Sequence, residues 1–576
     1  MLLATTCRRA SAILLHPCID GDGVIEIYGN TQGLNHLIKR RLENLYKKKV
    51  EATRIIPFDT ARNLLQISRE ISRQLGLLIN RRGGVEYVVV GDKTGIRVPA
   101  LSTERVGRAR FRGVRFVHTH LDGALLSKED LTDLALLQLD LIGCVTERPD
   151  EGLLIHAGYL IPQNKKGQAW DFVGPVPIQE LDLDFIEFIT ELENEFVKER
   201  GRYYILDKDK ERCVLISISS PKRTKDMADH ISEMKDLCYS AGITMVETII
   251  QRPKEIHPRF LIGKGKIEEI VIRCQQLGVD LLVFDDELSP GQIKNISSMT
   301  DLRVIDRNQL ILDIFAGRAR TNEAKIQVEL AQLRYIRPRL AEANIAFSRL
   351  TGGIGARGPG ETKLEVDKRR IRDKISFLEK KLNEVRLARD KKREKRRYSG
   401  IPIVSIIGYT NSGKSTLMNL LTKSTVEAED KPFSTLNPTT RIIKYPERKN
   451  IILTDTVGFI RDLPQVLLRA FIATLEELDD AHLLLHLVDV SSPDFEDRIE
   501  AVEEILVPLG LKEKKRLVVF NKIDKINGSF LKNIEDRYRA VSISSLKKIG
   551  IERLIRTIEA ELASTELLSE KQTVKS

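Results

Sequence analysis

Gly408-Tyr409-Thr410-Asn411-Ser412-Gly413-Lys414-Ser415 follows an apolar run, Ile401 to Ile407, short enough for one buried strand. The spacing G-x-x-x-x-G-K-[S/T] has a mechanical reason. Two glycines let backbone N–H groups curl round phosphates, the lysine reaches the terminal ones, and the serine hydroxyl takes Mg²⁺. Three further signals follow in order: Asp455-Thr456-Val457-Gly458, Asn521-Lys522-Ile523-Asp524 and Ser542-Ile543-Ser544-Ser545, each in or after a strand-like apolar run. Chance produces one such motif, not four in sequence, so an ATPase or a degenerate nucleotide fold is the weaker reading.

Asp455 ends the strand Ile451 to Thr454, where a carboxylate can hold the Mg²⁺ shell, and Gly458 can give its N–H to a γ-phosphate. Asn521 to Asp524 closes the run Arg516 to Phe520, and the Asp524 carboxylate suits the two donors on one edge of guanine. The base is therefore expected to be guanine. Between the P-loop and Asp455, the stretch Lys431 to Thr440 is a polar, Pro-broken loop of the kind that orders around γ-phosphate and Mg²⁺. The expected cofactors are GTP or GDP and Mg²⁺, the metal held by Ser415, Thr435 and Asp455, with Lys414, Thr435 and Gly458 in catalytic roles. Nucleotide contacts are expected from Gly408 to Thr416, from Phe433, Ser434 and Thr435, from Asp455 to Gly458, and from Asn521, Lys522, Asp524, Ser544 and Ser545.

Position 459 is Phe, where Ras-like GTPases place a water-orienting Gln directly after this glycine. Such a site is expected to hydrolyse GTP slowly alone and to need an external group or a monovalent cation. Asn411 makes K⁺ a candidate, since K⁺-activated GTPases carry Asn at this point; the alternative is that Asn411 only tightens the loop.

The 576 residues suffice for three or four domains. No run of eighteen apolar residues occurs, so no transmembrane segment is expected. Cysteines at 7, 18, 144, 213, 238 and 274 show no C-x-x-C pairing and fit a reducing cytosol. The net charge of +11 and pI near 9.1 suggest a polyanionic partner if the charge is clustered. It is clustered. From Glu361 to Arg397, Leu364, Ile371, Ile375, Leu378, Leu382 and Val385 form a coiled-coil seam, and sixteen Lys and Arg face eight Asp and Glu. Thr321 to Leu350 reads as a second long helix through Ile326, Leu330, Leu333 and Leu340, and Thr351 to Gly360 is too glycine-rich to be helical. The expected arrangement is an antiparallel helical hairpin with a basic, glycine-rich tip, suited to RNA. Before it, residues 213–318 alternate strands (Val214 to Ser219, Thr244 to Ile250, Val279 to Phe284, Arg303 to Ile305) with helices, predicting a small parallel α/β sheet. Gly263-Lys264-Gly265-Lys266 is expected to be a strand-to-helix turn rather than a phosphate site.

Phe260 to Lys266, Asp285 to Gln292, Val304 to Phe315, Gln327 to Ala331 and the glycine loop 351–362 resemble the HflX family of bacterial GTPases, over about residues 205–560. The resemblance implies a protein that binds the large ribosomal subunit and ribosomal RNA, has its GTPase stimulated by ribosomes, and separates stalled or stressed ribosomes. It further implies a hairpin reaching towards the peptidyl-transferase region, a cytoplasmic location with possible peripheral membrane association, and a monomer on the ribosome. Two departures are visible: only about thirty residues follow Ser545, and the usual Ser-Ala appears as Ser544-Ser545. A second reading of the same features is a GTP-gated factor in RNA modification or ribosome assembly.

Towards the N-terminus, Ile27 to Leu34 resembles the start of longer relatives, leaving 1–24 as an added leader or extension, expected to be disordered. His118-Thr119-His120 closes an apolar run, and Ser127 and Asp130 open the next helix, an order similar to JAB/MPN-type metalloproteases. The His120-to-Ser127 spacing is one residue short, Leu121 replaces the usual Pro, and Glu70 is the nearest upstream acid. The expectation is a degenerate JAB/MPN-like fold without Zn²⁺; a metallopeptidase regulated by a GTPase is the third functional alternative. The expected division is thus a multidomain α/β protein: 25–200 an additional N-terminal α/β domain, 201–320 a smaller α/β domain, 321–398 the hairpin, 399–563 the GTP-binding domain and 564–576 a tail.

Overall fold

A computed structural model describes residues 27–99, 101, 111–164, 167–204, 210–219, 227–300, 302–351, 363–397, 401–422, 440–443, 450–456, 458–461, 478–526 and 528–573. The leader 1–24, the glycine loop 352–360, and Phe433, Ser434, Thr435 and Val457 lie outside the described residues. The chain forms two compact units: Met1–Arg212 with Ile262–Leu281 and Ile296–Arg303, and Cys213–Leu261 with Leu282–Asn295 and Val304–Ser576.

The first unit is built on a mixed sheet of β1 (Tyr28–Gly29), β2 (Leu75–Asn80), β3 (Val85–Val90), β4 (Val114–Thr119), β5 (Leu141–Arg148), β6 (Gly152–Leu160) and β7 (Trp170–Pro177), in the order β1-β3-β2-β4-β5-β6-β7. β4 runs parallel to β5, with His118 opposite Cys144, whereas β2 pairs antiparallel with both β3 and β4. β2 is a near-continuous apolar run and every residue of β4 is buried, because both faces of the sheet are covered. Leu75, Leu77 and Ile79 pack with helices α1 (His36–Tyr46) and α2 (Phe58–Ile71) on one face; Leu78, Val114 and Phe116 face α3 (Lys128–Leu136) and α4 (Phe185–Tyr204) on the other. Arg115 is fully buried on β4, its Nε donating to the Ile55 carbonyl at 2.9 Å and its guanidinium lying 4.4 Å over the Phe185 ring.

A helix from the middle of the chain, α6 (Lys264–Leu277), belongs to this unit, so the expected 201–320 segment is divided between the two. Gln276 donates to the carbonyls of Ile161 and Gln168 (3.4 and 2.8 Å), and Gln275 to that of Ala135. These amides join α6 to the N-terminal sheet, a connection with no local sequence signal. Gly263 caps the helix and Lys264 and Lys266 pair with Glu268 and Glu269 in its own first turns, which makes this glycine motif a helix start.

The second unit carries a four-stranded sheet, ordered β11-β10-β8-β9, from β8 (Glu211–Ile218), β9 (Ile243–Gln251), β10 (Leu281–Phe284) and β11 (Arg303–Asp306). In chain order its strands alternate with α5 (Met227–Ser240), with α6 of the first unit, and with α7 (Pro290–Ser297) and α8 (Arg307–Arg318), as βαβ patterning requires. Two long helices follow, α9 (Asn322–Thr351), with Pro338 inside it, and α10 (Lys363–Arg397). Their seam joins Ile326, Leu330 and Leu333 to Ile371, Ile375, Leu378 and Leu382, flanked by Arg334–Glu379 at 2.7 Å and Lys374–Glu329 at 3.2 Å. α9 is anchored near its middle, where Arg339 lies 3.3 Å over the Tyr335 ring and bonds Asp306 at 3.2 Å.

The third sheet, also in the second unit, is ordered β13-β14-β12-β15-β16-β17. It comprises β12 (Ile403–Gly408), β13 (Thr440–Ile443), β14 (Ile451–Asp455), β15 (Leu483–Asp489), β16 (Arg516–Asn521) and β17 (Val541–Ser542). β13 alone is antiparallel. Among the described residues its helices are α11 (Lys414–Thr422), α12 (Phe495–Leu506), α13 (Gly528–Tyr538) and α14 (Ile551–Thr573).

Candidate nucleotide site

The carboxyl ends of β12, β14 and β16 bring the four motifs together, at the position where open α/β sheets bind ligands. β12 delivers the chain into the turn 408–413, and α11 starts at Lys414. Only glycine fits the first and sixth positions of this turn. Gly408 has φ +149° and a Cβ there would sit 2.2 Å from the Leu487 carbonyl oxygen; Gly413 has φ +94° and its Cβ would sit 2.3 Å from Asn521 Nδ2. Asn411 takes φ +63°, a left-handed conformation that Asn tolerates, so this residue shapes the loop through its backbone.

Lys414 is 7% exposed and donates through Nζ to the Gly408 and Tyr409 carbonyls at 3.1 and 2.7 Å. Burial lowers its pKa to about 8, against the opposing pull of Asp455. Ser415 Oγ donates to Asp455 Oδ2 at 3.3 Å, while Asp455 Oδ1 accepts the Thr456 N–H at 2.9 Å. Thr410 is buried, and Thr416 is partly buried on the first turn of α11. The buried Ser412 hydroxyl has no hydrogen-bond partner among the described residues, as suits a polar atom placed for a bound ligand. The donors, the cation and the Ser415–Asp455 pair thus fit a nucleotide phosphate chain and Mg²⁺. Lys414 and the loop amides would hold the phosphates, and Ser415 and Asp455 the ion, which supplies charge neutralisation.

Gly458 is pressed against the loop: its Cβ would meet Lys414 Nζ at 3.0 Å and Thr410 Cα at 3.1 Å. A two-way backbone ladder holds it there, Phe459 N–H donating to Gly408 O (3.1 Å) and Thr410 N–H to Phe459 O (2.8 Å). The Phe459 ring is 3% exposed and packs with Ile407, Leu478, Leu484, Val502 and Leu506. Its side chain is core, and it cannot orient water.

On the base side, Asn521 Nδ2 donates to the Ser412 carbonyl (2.8 Å) and its Oδ1 accepts the Ser545 N–H (2.9 Å), fastening β16 to both the P-loop and the fourth motif. Asp524 is half-buried on a 3₁₀ turn; the Ser544 hydroxyl donates to it at 2.6 Å and holds its carboxyl below the usual carboxylate range. Lys522, at φ +65°, pairs with Asp489 at 2.7 Å.

One connection escaped the motif analysis. The Tyr409 hydroxyl donates to Glu233 of α5 at 2.6 Å and accepts the Arg461 N–H at 2.8 Å, so its side chain is committed away from any phosphate. Arg307 of α8 donates to Glu233 (2.7 Å), to the Arg461 carbonyl (3.0 Å) and to Asp285 (3.4 Å). Burial beside Glu233 pushes the Tyr409 phenol well above its ordinary range. The P-loop, the chain after Gly458 and the four-stranded sheet thereby share one buried polar network. Its members are 176 residues apart, and no local pattern marks them.

In the first unit, Glu70 is half exposed and pairs with Arg41, and among the described residues no helix is long and apolar enough to cross a membrane.

Residues 228–316 match the family described as GTP-binding GTPase N-terminal, 318–396 its Middle Region, and 403–522 the 50S ribosome-binding GTPase family. The GTPase HflX of Caldanaerobacter subterraneus is 47% identical over 365 residues, 63% of this chain and 84% of that protein. That of Escherichia coli is 41% identical over 356 residues, 61% of this chain and 83% of that protein. Among solved structures, a GTP-binding protein of Sulfolobus solfataricus in complex with GDP is 25% identical over 62% of this chain and 99% of its own, with a TM-score of 0.35. Identity of this order over most of a relative's length makes the chain a P-loop GTP hydrolase that belongs to the GTPase HflX family.

Proposed function

We propose that this GTPase acts on the large ribosomal subunit, which stimulates its turnover, and that the GTP cycle serves to separate stalled or stressed ribosomes. The observation that carries the reading is the burial of Phe459: the residue after Gly458 is core, so the chemistry needs a group or order supplied from outside. The matched 50S ribosome-binding family and the basic composition of α10 point to ribosomal RNA as that outside partner. Bound to the ribosome, the protein acts as a monomer. Ordering of the loop 431–440, with Thr435 on the Mg²⁺ shell, is the step the ribosome promotes. K⁺ is the candidate cation for the remaining charge, with Asn411 beside the phosphates.

The test is steady-state GTP turnover of the full chain with and without purified large subunits. Slow turnover alone and a rise of at least tenfold with subunits is expected, abolished by Lys414→Ala. Equal rates in both conditions refute the reading. Exchanging K⁺ for Na⁺ at constant ionic strength is expected to lower the stimulated rate.

A further inference from the structure

Away from the nucleotide site, the first unit brings together two imidazoles and a carboxylate whose donor atoms all lie within 4.8 Å of one another: His118 and His120 at the end of β4, and Asp130 in the first turn of α3. From these residues we infer that the N-terminal unit holds a resident divalent transition-metal ion, zinc being the best fit, a site distinct from the Mg²⁺ of the GTPase centre.

The argument begins with spacing. His118 Nε2 lies 2.9 Å from His120 Nε2 and 3.3 Å from Asp130 Oδ1, and His120 Nε2 lies 3.7 Å from Asp130 Oδ2. Tetrahedral zinc, with bonds of about 2.0–2.1 Å, sets its ligand atoms about 3.3 Å apart, close to the two distances from His118 Nε2, 2.9 Å to His120 and 3.3 Å to Asp130 Oδ1. Alternation along β4 puts residues 118 and 120 on the same face, and the turn 121–127 returns the chain so that Asp130 closes the third corner. The spacing between His120 and Ser127 that argued against a metal from sequence therefore still converges the donors.

His120 and Asp130 are also held from behind by hydrogen bonds. His120 Nδ1 faces the Ala124 carbonyl at 3.0 Å; an N–H there leaves Nε2 as a bare lone pair towards the cluster. Asp130 Oδ2 accepts from the Ser127 N–H (2.7 Å) and hydroxyl (2.8 Å) in a capping box, which leaves Oδ1 directed at His118. The His118 ring is fixed by stacking on Phe116, at 5.2 Å and 14°. Carbonyl and hydroxyl partners behind imidazole and carboxylate are the usual outer support of a metal site. The alternative, a purely structural trio, has to keep two imidazole nitrogens face to face at side-chain exposures of 0 and 7% with a single shared proton.

Ligand chemistry selects the ion. Two imidazoles and one carboxylate suit Zn²⁺, Co²⁺, Ni²⁺ or Fe²⁺, whereas Mg²⁺ and Ca²⁺ prefer all-oxygen shells. Three protein ligands leave one position for water. Glu70, the acid that sequence order suggested as a proteolytic base, is paired with Arg41 at the surface, so the inference is metal binding and not proteolysis.

The test uses the untagged full chain, purified without added metal and analysed by elemental mass spectrometry. After chelation and return to buffer, it is titrated with Zn²⁺ and, in parallel, with Co²⁺, whose visible d–d band reports imidazole coordination in a tetrahedral field. About one zinc per chain and an intense tetrahedral Co²⁺ band are expected, both absent in His118→Ala. Because that variant could fail to fold, Ser127→Ala provides the second arm. It leaves all three ligands in place and is expected to weaken Zn²⁺ binding roughly 10–100-fold by removing support from Asp130. Lys414→Ala is expected to retain the metal. A wild-type chain, folded by circular dichroism, that takes up no stoichiometric zinc and gives only the weak octahedral Co²⁺ spectrum overturns the inference, as does undiminished Zn²⁺ affinity in both His118→Ala and Ser127→Ala.

Discussion

At Lys414 the physics of burial and the chemistry of phosphate binding pull in opposite directions. An ammonium taken from water into the loop loses hydration, and its pKa falls to about 8 from 10.5. Polyanion binding needs the charged form, so GTP affinity is expected to fall as pH rises from 7 to 9. Lys414→Arg, which stays cationic throughout, is expected to flatten that dependence and so to separate it from titrations on the nucleotide; fluorescence titration with a labelled GTP analogue reads both. Stability runs the other way. Between pH 8 and 10.5 the unfolded chain keeps a proton on this lysine that the folded one has released, so nucleotide-free stability gains from this group as pH rises through that window. A GTP affinity that is constant over the range in wild type removes Lys414 as the titrating group. At the base end, Asp524 is positioned by Ser544, and Asp524→Asn is expected to relax the preference for guanine by at least tenfold, measured as competition between GTP and other nucleoside triphosphates. Retained selectivity would argue against this carboxylate as the base reader. These residues were legible in the sequence because each depends on short spacing: a strand, a tight turn, a helix start. The reason for Phe459 was not, since only the packed core of Ile407, Leu484 and Val502 shows where its ring goes.

Among the elements, α5 and α8 meet the nucleotide domain through charged and polar groups. Glu233, Arg307 and Asp285 have side chains 12, 5 and 2% exposed, and such a buried cluster is costly to break but specific in geometry. The Tyr409 hydroxyl and the Arg461 carbonyl both bond into this cluster, so a shift of the chain after Gly458 changes the partners offered to α5 and α8. Tyr409→Phe deletes one hydroxyl and leaves the loop backbone intact. It is expected to cost roughly 1–3 kcal/mol of stability, because Glu233 Oε2 and the Arg461 N–H both lose the tyrosine hydroxyl in a part-buried setting. It is also expected to keep GTP affinity within a few-fold while erasing any difference in hydrogen exchange of 227–240 and 307–318 between the GDP and non-hydrolysable GTP states. If that difference persists in the variant, the network is a static clamp. Hydrophobic period and turn chemistry foretold the helices and strands involved, but a tyrosine in the variable part of the P-loop motif carries no trace of a glutamate in α5. Nonlocal polar bonds of this type, like the Gln275 and Gln276 amides that hold α6 to the first sheet, need coordinates.

For the molecule as a whole, the formal charge of +11 is spread unevenly, and sixteen cations against eight acids lie in residues 361–397 alone. The seam of Ile326, Leu330, Ile375 and Leu378 uses one stripe of α10 and explains the apolar residues there, but it does not require the run Lys391, Lys392, Arg393, Lys395, Arg396 and Arg397. A solvated helix needs far fewer like charges, and a polyphosphate surface rewards all of them through counterion release. Changing these six to Gln is therefore expected to weaken binding to large ribosomal subunits and to flatten the dependence of log Kd on log salt by up to about one unit for each phosphate no longer neutralised. Helix content and turnover without ribosomes are expected to hold, since none of the six lies in the nucleotide site. Cosedimentation at several salt concentrations reads the slope directly. An unchanged slope with reduced affinity would mean that the run acts by touching ribosomal protein, and an unchanged affinity would move the RNA-binding surface to another part of the chain.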